Sequence, residues 1–189
     1  MASRTAPDSL RWVQDLVNTL DIETGEDTLA ADGGAGVFLR DHGVPESAPG
    51  HGEVEPRELR ELGELREALR DVCLAHTAGT AVPEAAIRSL DRLLAAAPLV
   101  LAMEPDGGAA LRPAPGLVGS AYLTARIAAG IATAVTDGTW KRLKACETHD
   151  CRWVFYDRSP AGRSRWCTMA VCGSRAKMRT YRARRAESG

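Results

Sequence analysis

Four cysteines lie within one stretch of 27 residues, at Cys146, Cys151, Cys167 and Cys172. They form two C-x4-C pairs that are separated by 15 residues. Each pair can present two thiolates from one tight turn, and thiolate sulfur is a preferred ligand of Zn²⁺. Four thiolates complete a tetrahedral shell and leave no open position for water. The spacing therefore predicts one structural zinc ion bound by these four side chains.

Other interpretations of the same cysteines remain open at this stage. His149 lies between the first pair and could replace Cys151, which would give three thiolates and one imidazole. Two disulfides or four unrelated buried thiols are further alternatives, although a reducing compartment argues against disulfides. An iron–sulfur cluster also takes four thiolates, but its usual cysteine spacings do not occur here. A catalytic zinc is disfavoured because four protein ligands close the coordination shell.

The charges of the chain are divided between two segments. Residues 1–137 carry 11 basic and 21 acidic side chains, a net charge of −10, whereas residues 138–189 carry 13 basic and 4 acidic ones, a net charge of +9. The overall net charge of −1 hides this division. Such asymmetry indicates a polyanion-binding module at one end of a protein. We therefore predict a domain boundary near residue 137, with a helical domain before it and a basic, polyanion-binding zinc module at residues 138–189.

The elements that would position the cysteines can be predicted from the same segment. The aromatic and β-branched run from Arg152 to Asp157 predicts a strand, residues 158–165 predict a turn, and the chain would return through Trp166 and Cys167 as a zinc-bound hairpin. Ser174 is a good N-cap for a following helix. The module contains few large apolar residues, so we expect the metal to supply part of its stability.

The cations of this module are candidates for DNA contact. Four of them are spaced to share one face of the last helix, and only Glu187 offers an acidic partner after Asp157. Arginine on a rigid helix can bind phosphates and can also donate two hydrogen bonds to guanine in the major groove. The candidates are Arg158, Arg163, Arg165, Arg175, Lys177, Arg179, Arg182, Arg184 and Arg185.

Residues 1–137 have the periodicity of a helical domain. The predicted helices cover residues 9–20, 56–76, 83–97 and 116–135, a β-hairpin covers 99–103 and 109–112, and 43–56 is a polar surface loop. The predicted fold is therefore mainly α with small β-hairpins, a helical N-terminal domain followed by a four-cysteine zinc-bound β-hairpin and a C-terminal basic helix. Cys73 falls on an apolar helix face, where a core thiol is the usual occupant.

Few residues of this domain suggest chemistry. It lacks the spacing of a phosphate loop, a dinucleotide fingerprint or a nucleophile elbow, so we predict that the protein is not an enzyme. Asp15, Asn18 and Thr19 could line a ligand pocket, although polar residues beside a core more often bond to backbone. The longest apolar run, residues 93–103, is too short to span a bilayer. With no visible secretory signal, these features predict a cytoplasmic protein that does not contact a membrane.

The cysteine segment resembles a known family. The run C-x4-C-x-W-V-F-Y-D-R-S-x3-R-x-R-W-C-x4-C-G-S-R-A-K is similar to the CGNR zinc-finger family of bacterial proteins, and 15-DLVNTLD-21 and 65-LREALRD-71 resemble its N-terminal ABATE domain. The resemblance implies a stress-induced transcription regulator with a zinc-dependent DNA-binding end. It also implies that the four cysteines bind zinc and that Arg175 is the arginine of the motif. Ser174 stands where the family usually has asparagine, which caps a helix equally well.

These observations favour a zinc-dependent, DNA-binding transcriptional regulator that associates with the nucleoid when it binds DNA. A small-molecule effector and a homodimer are further expectations, the second because one small module makes few DNA contacts. The alternative is a zinc-stabilised protein that binds RNA or a protein partner without sequence-specific DNA binding. An enzyme in the N-terminal domain is the third interpretation.

Overall fold

The computed structural model describes residues 4–46 and 54–187. Residues 47–53 of the predicted loop lie outside the described residues. The helices are α1 (Asp8–Val17), α2 (Gly34–Asp41), α3 (Pro56–Ala78), α4 (Glu84–Ala95), α5 (Gly119–Thr136) and α6 (Ser174–Glu187), and the strands are β1 (Leu99–Met103), β2 (Ala109–Pro113), β3 (Leu143–Ala145) and β4 (Val154–Tyr156). The predicted fold class is confirmed.

Helices α1, α3 and α5 enclose the hydrophobic core. Leu10 and Leu16 of α1, Leu65 of α3 and Leu123 of α5 are almost completely buried, as the helical spacing of these apolar residues predicts. Helix α1 packs directly on α5, and a glycine makes the close approach possible. A Cβ atom at Gly130 would lie only 1.9 Å from the backbone oxygen of Ser9. Any larger residue there would separate the two helices.

Helix α2 was not predicted, because only the glycines of this segment were apparent in the sequence. Gly33 has a φ of 66° and turns the chain into the helix. A Cβ atom at Gly34 would lie 1.9 Å from the backbone oxygen of Thr28, so this glycine allows a tight backbone contact. The glycines therefore have a local structural role.

Each of the two small sheets is an antiparallel pair. Strands β1 and β2 form the hairpin predicted from residues 99–103 and 109–112. Strand β4 lies within the predicted 152–157 strand, but it pairs with β3 and not with Trp166 and Cys167. The predicted return strand was wrong for a physical reason. The Asp157 carboxylate accepts hydrogen bonds from the backbone N–H groups of Ser159 and Ser164, which fold residues 158–165 into a compact loop.

The β3–β4 hairpin belongs to the core of the helical region. Leu143, Ala145 and Val154 are completely buried in the same apolar cluster as the core residues of α1, α3 and α5. The packed core therefore continues across residue 137, where the net charge of the chain changes sign.

Polar side chains of α1 and α3 bind the backbone of this hairpin. The Asn18 side chain donates to the carbonyl oxygen of Val154 and accepts from its N–H, both at 2.8 Å. On the other side, His76 Nδ1 donates to Leu143 O at 2.9 Å and Thr77 Oγ1 donates to Ala145 O at 2.7 Å. These bonds fix the hairpin at a defined position and register.

Among residues 4–46 and 54–187, no helix has both the length and the apolar character needed to cross a membrane.

Candidate metal centre

The four cysteines predicted from the sequence lie together. Their Sγ atoms are all within 4.8 Å of one another; Cys151 Sγ is 3.6 Å from Cys167 Sγ, and Cys167 Sγ is 3.7 Å from Cys172 Sγ. A disulfide requires sulfurs about 2.05 Å apart, so these thiols are free. Zn–S bonds of about 2.3 Å place the sulfurs of a tetrahedral site about 3.8 Å apart. The observed spacing fits one zinc ion.

Two backbone turns present the cysteines. Cys146 follows β3 directly and Cys151 precedes β4, so the first pair lies at one end of the β3–β4 hairpin. Arg152 adopts a φ of 52°, a left-handed conformation that reverses the chain after Cys151. The second pair, Cys167 and Cys172, brackets the start of the π-helical turn Met169–Gly173, which leads into α6. The cluster therefore joins the hairpin to α6.

A glycine lies where the second turn packs. A Cβ atom at Gly173 would lie 2.8 Å from Met169 Sδ and 3.6 Å from Trp166 Cε3. The second distance is an ordinary contact, and the end of the half-exposed Met169 side chain would have to move by a few tenths of an ångström to make room. Gly173 thus lets Met169 pack closely next to the cysteine cluster.

The thiols influence one another's ionisation. Hydrogen bonds from the Cys151 and Cys167 thiols lower the pKa of Cys146, which favours a thiolate at that position. Hydrogen bonds with Cys146 and Cys151 raise the pKa of Cys167. Four sulfurs this close cannot all carry negative charge unless a cation neutralises them. The cluster has the donor set and the electrostatics of a Zn²⁺ site.

Other residues considered in the sequence lie outside this cluster. The His149 side chain is about 90% exposed and contacts Asp150, whereas Cys151 lies among the other three cysteines. Cys73 is completely buried in the core, as predicted, and burial raises the pKa of its thiol to about 12. That thiol is protonated at neutral pH and is not accessible to solvent.

Comparison with protein families assigns both parts of the chain. The CGNR zinc finger matches residues 142–185, and the ABATE family, described as "putative stress-induced transcription regulator", matches residues 10–138. This chain belongs to the ABATE family and carries a CGNR zinc finger. No curated protein shows significant similarity to it. The family description, together with the cysteine cluster, makes this CGNR protein a candidate transcription regulator with a zinc finger.

Six of the nine candidate DNA-contacting residues of this CGNR protein are on α6. All six side chains are exposed; they are Arg175, Lys177, Arg179, Arg182, Arg184 and Arg185. Helix α6 packs chiefly on the π-helical turn that carries Cys172, so most of its surface faces solvent. One of the six, Arg175, forms an ion pair with Glu23 of the helical region at 2.7 Å.

The other three candidates lie in or beside the loop after β4. Arg158 donates to the carbonyl oxygen of Thr5 and lies over the ring of Tyr156, while Arg163 is exposed. Arg165 pairs with Glu147 and lies 5.4 Å from the ring centre of Trp166. The structure thus places Arg158 against the N-terminal segment and Arg165 beside the cysteine cluster.

A buried ion pair between Lys144 and Asp157 fixes this loop, and the sequence analysis did not identify it. Lys144 Nζ lies 3.1 Å from Asp157 Oδ2, and both side chains are almost completely buried. Burial alone would raise the pKa of Asp157, but hydrogen bonds from Ser159 and Ser164 outweigh it and hold the pKa well below its usual range. In the sequence, the one sign of this pair is a lysine between two apolar residues, Leu143 and Ala145.

The three candidate ligand-binding residues Asp15, Asn18 and Thr19 line one open cleft of about 460 Å³, together with His42 and Trp153. Within it, Asp15 pairs with Arg11 and with His42. The side-chain amide of Asn18 forms hydrogen bonds with both the N–H and the C=O of Val154. Asn18 therefore has a clear structural role, while the Asp15 side chain is about one third exposed.

Proposed function

We propose that this protein is a zinc-dependent, DNA-binding transcription regulator and not an enzyme. In this proposal residues 138–189 form the DNA-binding module, and residues 1–137 sense a signal or mediate assembly. The observation that carries the proposal is the connection between the cysteine cluster and α6. One four-sulfur site holds the start of an exposed helix that carries six cations.

The metal in this proposal has a structural role. Cys146, Cys151, Cys167 and Cys172 would bind one Zn²⁺, whose contribution is binding free energy that stabilises the module. Residues of the chain would position the metal site and α6. Cys146 and Cys151 are fixed by the buried hairpin, and they would thereby fix the position of the π-helical turn and of α6.

Exposed cations on α6 and on the loop after β4 would bind DNA phosphates. The candidate cations are Arg158, Arg163, Arg165, Arg175, Lys177, Arg179, Arg182, Arg184 and Arg185. Phosphate contacts position a protein on the duplex, and contacts to base edges provide specificity. Ser174 lies at the first position of α6, where the family usually has asparagine, so sequence preference would differ here if that position contacts a base.

The N-terminal region would provide regulation. The cleft with Asp15, Asn18 and Thr19 is a candidate site for a small-molecule effector, because Trp153 of the zinc module forms part of its wall. A homodimer would bring two copies of α6 to one DNA site and would double the number of contacts. The proposed place of action is the cytoplasm, at the nucleoid.

Gel-shift titration of duplex DNA over a range of salt concentrations tests this function. Five phosphate contacts would weaken binding about 500-fold between about 50 and 200 mM salt. The Cys167→Ser variant should lose most of this affinity, because a zinc ligand is removed. Equal binding by both proteins would contradict the zinc dependence. Absence of binding by the zinc-loaded wild type would contradict DNA binding itself.

The ion pair between Arg175 and Glu23 supports a second candidate function. It is a contact between the basic module and an acidic surface, as expected of a protein that binds RNA or an acidic partner without reading a DNA sequence. Competition experiments can separate the two functions. If duplex RNA displaces the labelled DNA as effectively as unlabelled DNA of the same length does, the second candidate is favoured.

A further inference from the structure

Helix α6 has two different faces, which the sequence pattern alone did not separate. One face borders a groove of about 530 Å³ between α6 and the cysteine cluster; it is called the α6 groove here and is lined by Glu147, Thr148, Arg165, Trp166, Ala176, Lys177, Arg179, Thr180, Tyr181 and Arg184. The opposite side carries Arg175, Met178 and Arg182 in a second depression, and Arg179 borders both. Lys177, Tyr181 and Arg184 follow one another at steps of four and three, so they form one stripe along the groove.

The α6 groove combines aromatic rings with positive charge. Trp166 comes from the segment before Cys167, and Tyr181, about half exposed, comes from α6. Four of the lining residues are cationic. Glu147, the one acidic lining residue, pairs with Arg165. Aromatic faces stack on nucleobases, and neighbouring lysine and arginine bind phosphate.

The volume of the groove fits a nucleotide, and its lining favours one. A space of about 530 Å³ is of the size that holds small ligands, of which a nucleotide is one. The depression on the other side of α6 has a similar volume, about 490 Å³, but no aromatic residue lines it. The rings of Trp166 and Tyr181 therefore distinguish the α6 groove as the place where a base can stack.

We propose that the α6 groove is a nucleotide site, in which a base stacks on Tyr181 or Trp166 while its phosphates contact Lys177. The nucleotide is either a free nucleoside diphosphate or an unpaired nucleotide of a DNA or RNA strand, since both present one base and one or more phosphates. This site is separate from the proposed duplex contact on the outer face of α6. Its occupancy does not require that duplex DNA binds.

Matched pairs of α6 variants test the site. Tyr181→Ala removes a half-exposed ring from the groove, and Met178→Ala removes a similarly exposed side chain from the outer face. Lys177→Gln and Arg182→Gln each remove one charge, from the groove and from the outer face. All four positions are exposed, so the zinc-loaded full-length protein should fold in every case.

Calorimetric titrations would use ADP, inorganic pyrophosphate and a ten-nucleotide single strand. We expect ADP or the strand to bind more tightly than pyrophosphate, and Tyr181→Ala to weaken that binding about tenfold, as the loss of one stacked base would. Lys177→Gln should weaken it about fivefold, whereas Met178→Ala should change it less than twofold. Arg182→Gln removes a candidate DNA contact, so it is the charge control for ADP alone, whose binding it should change less than twofold. Tighter binding of ADP would identify a free nucleotide as the ligand. Tighter binding of the strand would identify an unpaired nucleotide of a strand as the ligand.

The proposal is wrong if neither ADP nor the strand binds, if pyrophosphate binds as tightly as both, or if the variants of each pair weaken binding equally. A duplex titration with the same proteins keeps the two proposals distinct. Failure of duplex binding together with selective loss in Tyr181→Ala would contradict the proposed function and leave the nucleotide site standing.

Discussion

The β3–β4 hairpin and helix α6 belong to the same zinc module, yet the protein holds them in different ways. The hairpin is buried in the core of the helical region and is bound by Asn18, which follows α1, and by Thr77 of α3. The cations of α6 are exposed, and the helix packs mainly on the π-helical turn. The cysteine cluster is the connection between them. A metal bound there would therefore act mainly on α6, while hydrophobic burial and backbone hydrogen bonds position the hairpin.

Loss of the metal should have the largest effect. It tests the difference between the hairpin and α6. Cys172→Ser should lose its zinc at a chelator concentration that leaves the wild type with about one ion per chain, since only three thiolates remain to bind the metal. Trypsin should then cleave within residues 174–185 at least tenfold faster, while the amides of Val154 and Tyr156 should stay protected from hydrogen exchange. Mass spectrometry and exchange measurements would follow both.

A thiol control is available in the same chain. Cys73→Ala removes a cysteine that lies outside the cluster, so it should keep one zinc ion and a protease-resistant α6. If the hairpin amides of Cys172→Ser lose protection when α6 becomes sensitive to trypsin, the hairpin depends on the metal as much as α6 does, and the comparison is wrong.

The second effect concerns the buried ion pair behind the hairpin. Asp157→Asn leaves the Lys144 ammonium buried without a charged partner and should cost about 3–5 kcal/mol of unfolding free energy at pH 7. Because the folded pKa of Asp157 is lowered, its stabilisation is complete above the unfolded pKa of about 3.9 and is lost as the pH falls through the folded value. Urea unfolding should thus give a constant difference between wild type and variant from pH 7 to about 5, and a smaller one below about pH 4.

A difference that does not shrink in acid would mean that charge at Asp157 is unimportant. In that case the hydrogen bonds to Ser159 and Ser164 alone would hold the loop, and the variant would be destabilised by their loss only.

The third effect tests whether the helical region and the hairpin unfold together. Asn18→Ala removes the side-chain acceptor of the Val154 N–H and one of the two side-chain donors to its C=O, since Gln14 also donates there; this should cost about 1–3 kcal/mol. The loss should appear in one cooperative transition, because one core includes both parts. Asp15→Ala, on the last turn of α1 before Asn18, is the matched control, and it should cost less than about 1 kcal/mol because its ion pairs are partly exposed.

Two separate transitions in Asn18→Ala, monitored by helix signal and by zinc release, would show that residue 137 divides two independently folding units. A single transition is the expected result.

The smallest effect concerns the ion pair between α6 and the helical region. Glu23→Gln releases Arg175 and should strengthen duplex binding about twofold to threefold at low salt, since an exposed pair is worth at most about 1 kcal/mol. Glu26→Gln removes the same charge nearby from an exposed side chain, so it is the control for a general change in charge. Equal changes in the two variants would indicate that the pair with Arg175 has no specific effect on DNA binding.

Sequence reasoning succeeded where one local pattern is sufficient. The helical spacing of Leu10, Val13 and Leu16 predicted the buried face of α1, and the two C-x4-C pairs predicted which side chains form the cluster. The strand at β4 was also identified, but its partner was not. Strand pairing depends on contacts between distant residues, and Leu143–Ala145 is too short to show a period.

Some of the residues that matter for the site gave little sequence signal. Asn18 was a ligand-binding candidate in the sequence analysis. In the structure its side chain bonds to the backbone of Val154, which lies 136 positions later in the chain. Lys144 and Asp157 form a buried pair that charge counting treats as two surface residues. The α6 cations were assigned to one face with flanking residues, whereas the structure places Lys177 and Arg184 in a groove with Trp166.

The sequence by itself determined which four cysteines form the cluster, the helices around the core and the division of charge near residue 137, because each depends on residue type and local spacing. Only the tertiary structure decided that the hydrophobic core crosses that division, that β3 pairs with β4, and that α6 has a groove face and an outer face. These features arise from burial and hydrogen bonds between residues far apart in the chain, and a local pattern carries no information about such partners.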